Sequence, residues 1–164
     1  SISTQYGQNI LNLMPTNLYG PNDYFSKKNS HVIPGLIYRM HNAKLSNDET
    51  FEVWGSGNPL REFLHVDDLA SSVEFLLDKD LDIDLLNVGS GYEVSIKELA
   101  QKIKNIIGFK GDVLFDQTKP DGNPRKLLDS SKINSLGWTS KISLEEGLSN
   151  TYNWFNSNYS SIRI

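Results

Sequence analysis

A chain of 164 residues, 38% hydrophobic and 22% charged, has the length of one domain and the composition of a globular one. Its net charge of −4 argues against a nucleic-acid partner, which needs a basic face, while leaving room for a locally basic pocket. Zero cysteines exclude disulfides, thiolate metal sites and a cysteine nucleophile, and no apolar run reaches the ~18–20 residues of a membrane-spanning helix. The lack of cysteine fits an expected cytoplasmic location, and the polar start SISTQYGQN does not have the layout of a secretory signal.

In chain order, Ser1–Tyr6 reads as the tail of a helix closed by Gly7. With no initiator Met, that suggests a cut through something larger. The apolar run Asn9–Met14, bounded by Pro15, predicts a buried strand. PTNLYGPND (15–23) is loop chemistry at a strand's carboxyl end, the edge where open α/β sheets hold ligands. The loop continues to Ser30, a length that usually marks function or mobility. Val32, Ile33, Leu36, Ile37 and Met40 then recur at helical spacing, with Ser30 as the expected cap and Pro34 in the first turn. Arg39 falls off that stripe and is free to face solvent or a ligand. A polar connection over 42–50 leads to a strand at Phe51–Trp54.

The stretch VWGSGNPLREFLHVDD (53–68) is the most informative. It bends at Gly55–Pro59, places the cation Arg61 just beyond, and starts a second amphipathic helix behind Asp67 and Asp68, with an Asp as N-cap. Leu69, Ala70, Val73, Leu76 and Leu77 form that helix's stripe. A Gly/Pro turn with an aromatic before it and an arginine after it suits a flat anionic ligand such as a nucleotide. The same residues also describe a surface hairpin with Trp54 filling the space beneath it.

Leu85–Val88 reads as a buried strand ending at Gly89-Ser90-Gly91. Ser95 with Glu98 forms a capping box for a third helix, stopped by Gly108. Val113–Phe115 is a further strand, and KPDGNPRK (119–126) a second Pro/Gly loop carrying cations. A short helix ends at Gly137, and Ser143 with Glu146 caps a last helix bearing Leu144, Leu148, Tyr152 and Phe155 on one face. Strands alternating with helices predict an α/β fold.

His31, His41 and His65 share no metal-ligand spacing, so no metal site is expected. His31, at a loop-to-helix boundary, can serve as a general acid or base, or as a helix-terminal residue without a catalytic task. The pairs Gly55/Gly57 and Gly89/Gly91 stop short of a dinucleotide fingerprint, because Leu60 and Val94 stand where a third Gly belongs; both read as turns. Tyr24 and Lys28 have Tyr-x-x-x-Lys spacing but lie in loop composition, where i and i+4 share no face. Arg39, Arg61, Arg125 and Lys126 are either cradling cations for a diphosphate or scattered surface charges.

PTNLYGPND, NSHVIPGLIYRM, VWGSGNPLREFLHVDDLA, NVGSG, TKPDGNPRKLLD and LGW, in this order, resemble the GDP-L-fucose synthase family of extended short-chain dehydrogenase/reductases. The resemblance runs from about Gln5 to Phe155. It implies an enzyme in which an N-terminal Rossmann half binds NADPH and a C-terminal half binds GDP-4-keto-6-deoxymannose, epimerised at C3 and C5 and then reduced at C4. The implied fold class is the C-terminal part of that Rossmann-like α/β architecture with its substrate-binding subdomain. By the same resemblance, Pro15, Thr16, Asn17 and Leu18 lie beside the nicotinamide. His31 lies near the cofactor and protonates the epimerising carbon. Arg39, Trp54, Arg61, Asp112, Arg125 and Lys126 are the implied substrate contacts, Trp54 toward the base, Arg39 and Arg61 toward the diphosphate, and Asp112 near the nucleotide.

The family's Gly-rich fingerprint, catalytic Ser, Tyr-x-x-x-Lys and catalytic cysteine have no counterpart in this sequence. The expectation is therefore a single fragment over 1–164, inactive alone, partnered by a missing N-terminal half or chain. Its strands near 9–14 and 85–88 are expected to lack neighbours and favour aggregation. Family dimers pair through the absent half. A non-catalytic nucleotide-sugar binder, or part of another nucleotide-sugar epimerase or dehydratase, are the alternatives.

Overall fold

The computed structural model describes residues 5–7, 10–27 and 29–162. Its elements are β1 (Asn12–Pro15), β2 (Asn17–Tyr19), α1 (Val32–Leu45), β3 (Thr50–Trp54), β4 (Leu60–His65), α2 (Val66–Leu77) and β5 (Leu85–Val88), followed by β6 (Glu93–Ser95), α3 (Ile96–Ile107), β7 (Asp112–Asp116), β8 (Arg125–Lys126), α4 (Ser131–Ser135) and α5 (Leu144–Asn158). The α/β alternation expected from the sequence is present.

Among the described residues the strands form three small sheets. β1 pairs with β5 and β3 with β7, both in parallel. The third sheet has β4 at its centre, with β2 parallel on one side, β6 antiparallel on the other, and β8 added in parallel at its start. Alternation along β4 sends Phe63 into a core built by α1, α3 and α5, and Leu64 into a second core with Leu86, Val88, Ile133 and Trp138. Glu62, Phe63, Leu64 and His65 are consequently all buried. A strand covered on both faces loses the polar–apolar alternation by which strands are recognised, which is why 60–65 reads as a turn running into a helix.

The helices follow their caps. At α3, Ser95 Oγ accepts from Glu98 N at 3.1 Å while Glu98 Oε2 accepts from Ser95 N at 3.0 Å, and Gly108 closes the helix at φ 73°. At α5, Ser143 Oγ accepts from Glu146 N at 3.2 Å, and Leu148, Tyr152 and Phe155 are buried.

Two expected caps are replaced. Ser30 Oγ donates to Ser26 O at 2.6 Å, folding the loop on itself, and His31 takes the N-cap position of α1 without a side-chain capping bond. At α2 the N-cap is His65, whose Nδ1 accepts from Asp67 N at 3.3 Å. Asp68 instead turns inward and accepts from Lys141 N and Ile142 N, both at 3.0 Å, tying α2 to the segment before α5.

Three further expectations change. β3 pairs with β7 and not with the strand after its bend, so 51–65 is no hairpin. Two parallel strands reach each other only through a crossover, here the whole of 55–111. The strands at 12–15 and 85–88 do find a neighbour, namely each other, though Met14 and Leu85 stay half exposed and neither strand is the fully buried one expected. On α2, Val73 and Leu77 are exposed as well. Of the N-terminal helix tail, Ser1 to Thr4 lie outside the described residues; Gln5 and Tyr6 are helical and Gly7 has φ 64°. Lys28 also lies outside them, and Tyr24 sits in irregular backbone.

Candidate functional site

The two Pro/Gly bends meet. Asp121, in the second, accepts from Ser56 N at 2.8 Å and from Ser56 Oγ at 2.6 Å in the first, and these bonds hold its carboxyl below the ordinary range. Gly55 and Gly57 adopt φ 87° and 78°, open to glycine at little cost. Space demands glycine there too: a Cβ on Gly55 would run into Asp121, and one on Gly57 would lie 2.6 Å from the Phe115 ring. Leu60 N then donates to Pro124 O at 2.9 Å, which starts the β4–β8 pairing.

That pairing sets which cations act together. Arg61 stands opposite Lys126, and paired residues of neighbouring strands project to one face. Arg125 projects to the other face, where it makes a bidentate pair with Glu93 at 2.6–3.0 Å. The pair lowers the Glu93 carboxyl and raises the Arg125 guanidinium relative to their ordinary values. Arg61 and Lys126 have no carboxylate partner among the described residues. Arg61 Nη1 donates to Leu60 O at 2.7 Å, and its Nη2 lies 3.1 Å from where a Cβ on Gly122 would be.

Arg39 and Trp54 both belong to elements that precede the first bend, α1 and β3. Arg39 is half-buried rather than free. Its guanidinium packs 5.2 Å from the centre of the Phe51 ring, Nη1 donates to Glu52 O at 3.4 Å, and burial lowers its pKa against the opposing pull of Glu52. Glu52 precedes Trp54 by two residues, about 7 Å along the strand. Trp54 is 67% exposed, so it does not fill space beneath a bend; its indole is available to stack. Asp112 is not brought to this end. The β3–β7 register pairs it with Thr50, four residues and about 13 Å from the level of Trp54.

The strand-end loop is linked to the same β4. Pro15 ends β1, and Thr16 N donates to Val88 O at 3.0 Å. The Asn17 side chain donates to Glu62 O at 2.8 Å and Thr16 Oγ1 to the same oxygen at 3.3 Å. Leu18 is half-buried in the second core. These residues lie at the carboxyl end of β1, the edge where open α/β sheets hold ligands, and the described residues include no Gly-rich turn opening a helix. His31 is exposed and its side chain makes no capping bond; nearby, burial raises the Asp23 carboxyl against the opposing effects of the Tyr24 backbone hydrogen bond and of His31. A cavity of about 370 Å³ opens between Phe63, Tyr92, Lys102 and the start of α5, and none of the predicted residues lines it.

Sequence reasoning did not single out Asp121, Ser56 or Glu62. The Pro-Asp-Gly turn offered a signal for the first, since Asp in turns accepts from nearby backbone; a buried glutamate in a strand offers none.

Residues 1–89 match the model of the NAD dependent epimerase/dehydratase family. The chain is 57% identical over 151 residues to GDP-L-fucose synthase 1 of Arabidopsis thaliana, covering 92% of this chain and 47% of that protein. It is 48% identical over 172 residues to GDP-L-fucose synthase of Escherichia coli K12, covering 99% and 54%. The crystal structure of a GDP-L-fucose synthetase from Naegleria fowleri bound to NADP superposes with a TM-score of 0.91 at 31% identity, covering 99% of this chain and 52% of that one. The chain thus spans about half the length of the relatives it matches.

Proposed function

The chain belongs to the NAD dependent epimerase/dehydratase family, and we propose that it carries the GDP-sugar site of a GDP-L-fucose synthase. The observation that carries this reading is the clasp of the two Pro/Gly bends by Asp121, with Arg61 and Lys126 on one face beyond it and Trp54 exposed before it. Guanidinium and ammonium groups without carboxylate partners suit a diphosphate, and an exposed indole suits a purine. Arg39 adds a third cation along β3. Arg125 is engaged by Glu93, and Asp112 lies at the far end of its strand, so neither joins the proposed contacts.

The reaction proposed for the whole enzyme is 3,5-epimerisation of GDP-4-keto-6-deoxymannose followed by reduction at C4. NADPH, when bound, supplies the hydride. Within this chain, residues 15–18 border the nicotinamide end and the imidazole of His31 delivers a proton to the epimerising carbon. The adenosine diphosphate of the cofactor requires a Gly-rich βα turn that residues 1–164 do not include, so a further Rossmann half is part of the proposal, as is a cytoplasmic location. No helix among the described residues is long and apolar enough to cross a membrane.

Calorimetric titration of the 164-residue chain with GDP, and with ADP for comparison, tests the site. Saturable binding that favours GDP is expected; no heat with GDP refutes the reading.

A further inference from the structure

Glu62 is fully buried in β4, yet it touches three distant segments. Oε1 accepts from Gly91 N at 2.7 Å and Oε2 from Leu128 N at 3.1 Å, while its carbonyl oxygen accepts from the Thr16 and Asn17 side chains. Taking a carboxylate out of water is costly unless its oxygens are hydrogen-bonded, so this position is strongly constrained. Gly89 makes room for it: a Cβ there would collide with Oε1 of Glu62 and lie 2.7 Å from Ser130 Oγ. Gly89 has no left-handed backbone, so its missing side chain is needed for space and not for conformation.

Arg61 and Lys126 sit on the opposite face of β4 and β8 from this carboxylate. β8 is only two residues long, too short to fix its own register. The carboxylate bond to Leu128 N falls two residues past Lys126 and supplies what the strand lacks. We infer that Glu62 is a positioning residue for the diphosphate site: by holding the backbone at Leu128 it keeps β8 in register with β4 and Lys126 beside Arg61. The inference rests on the reading of Arg61 and Lys126 as diphosphate contacts.

The test is GDP affinity by calorimetry in the 164-residue chain for wild type, Glu62→Gln, Gly89→Ala, Lys126→Ala and the double variant Glu62→Gln/Lys126→Ala. Glu62→Gln keeps the shape but turns an amide N–H toward a backbone N–H; Gly89→Ala leaves the carboxylate intact and fills its space. Each is expected to weaken GDP binding about tenfold, the scale of one hydrogen bond to a charged group. The double variant is expected to bind no more weakly than Lys126→Ala alone, since Glu62 acts through Lys126. Ile133→Val, which loosens the second core away from this face, is expected to lower the melting temperature and leave GDP affinity unchanged.

Losses that multiply in the double variant, or Glu62→Gln and Gly89→Ala proteins that bind GDP as wild type does, would overturn the inference while leaving the site reading intact. Wild type that binds no GDP would remove both.

Discussion

Replacing Arg61 by alanine should cost far more GDP affinity than replacing Arg125, although the two arginines are equally cationic and lie on paired strands. Arg61 is half-buried, has no carboxylate partner among the described residues, and shares its face with Lys126. A charge-assisted hydrogen bond from such a group to a phosphate oxygen contributes about 1.5–3 kcal/mol, so Arg61→Ala should weaken GDP binding by roughly ten- to 150-fold. Arg125 already spends its fork on Glu93 and faces the other way, so Arg125→Ala should leave the affinity within about twofold. Isothermal titration with GDP at fixed ionic strength measures both, and raising the salt should weaken the wild-type complex through screening of the exposed Lys126. An Arg125→Ala loss as large as that of Arg61→Ala would refute the assignment by strand face; an Arg61→Ala protein binding like wild type would refute the diphosphate site.

Phe155 is fully buried and meets Phe25, Tyr38, His41, Tyr152 and Tyr159, so Phe155→Ala should destabilise the fold by about 3–5 kcal/mol, read from urea midpoints. His41 is buried beside Tyr152, and burial, with Lys44 nearby, lowers its pKa from the ordinary 6.5. A depressed histidine binds fewer protons folded than unfolded, so its contribution is complete above pH 6.5 and is lost as pH falls toward the folded value. The urea midpoint should drop between pH 7.5 and pH 5.5, and an equal drop in His41→Gln would refute that origin. Gly57→Ala pushes a methyl group into the Phe115 ring at a left-handed φ, and should lower both melting temperature and GDP affinity by opening the bend. With NADPH and GDP-4-keto-6-deoxymannose, the 164-residue chain alone should show no loss of absorbance at 340 nm, a wavelength set by the reduced nicotinamide; measurable turnover would show that the missing Gly-rich grip is dispensable.

The α/β alternation, the capping box at Ser95, the Gly108 stop and the two Pro/Gly bends were written in the sequence, because each depends on residues within a few positions of one another. The cations Arg61 and Lys126 and the indole of Trp54 were legible as types for the same reason: their chemistry travels with the residue. Their grouping was not. Which face Arg61 shares, that Arg125 is claimed by Glu93, that Asp112 lies at the far end of its strand from Trp54, and that Glu62 anchors three segments are all consequences of contacts between residues up to 66 positions apart. In β4, burial on both faces removes the alternating pattern from which a linear reading could recover register; in β8, two residues are too few to carry one; and β3 meets β7 only across a long crossover.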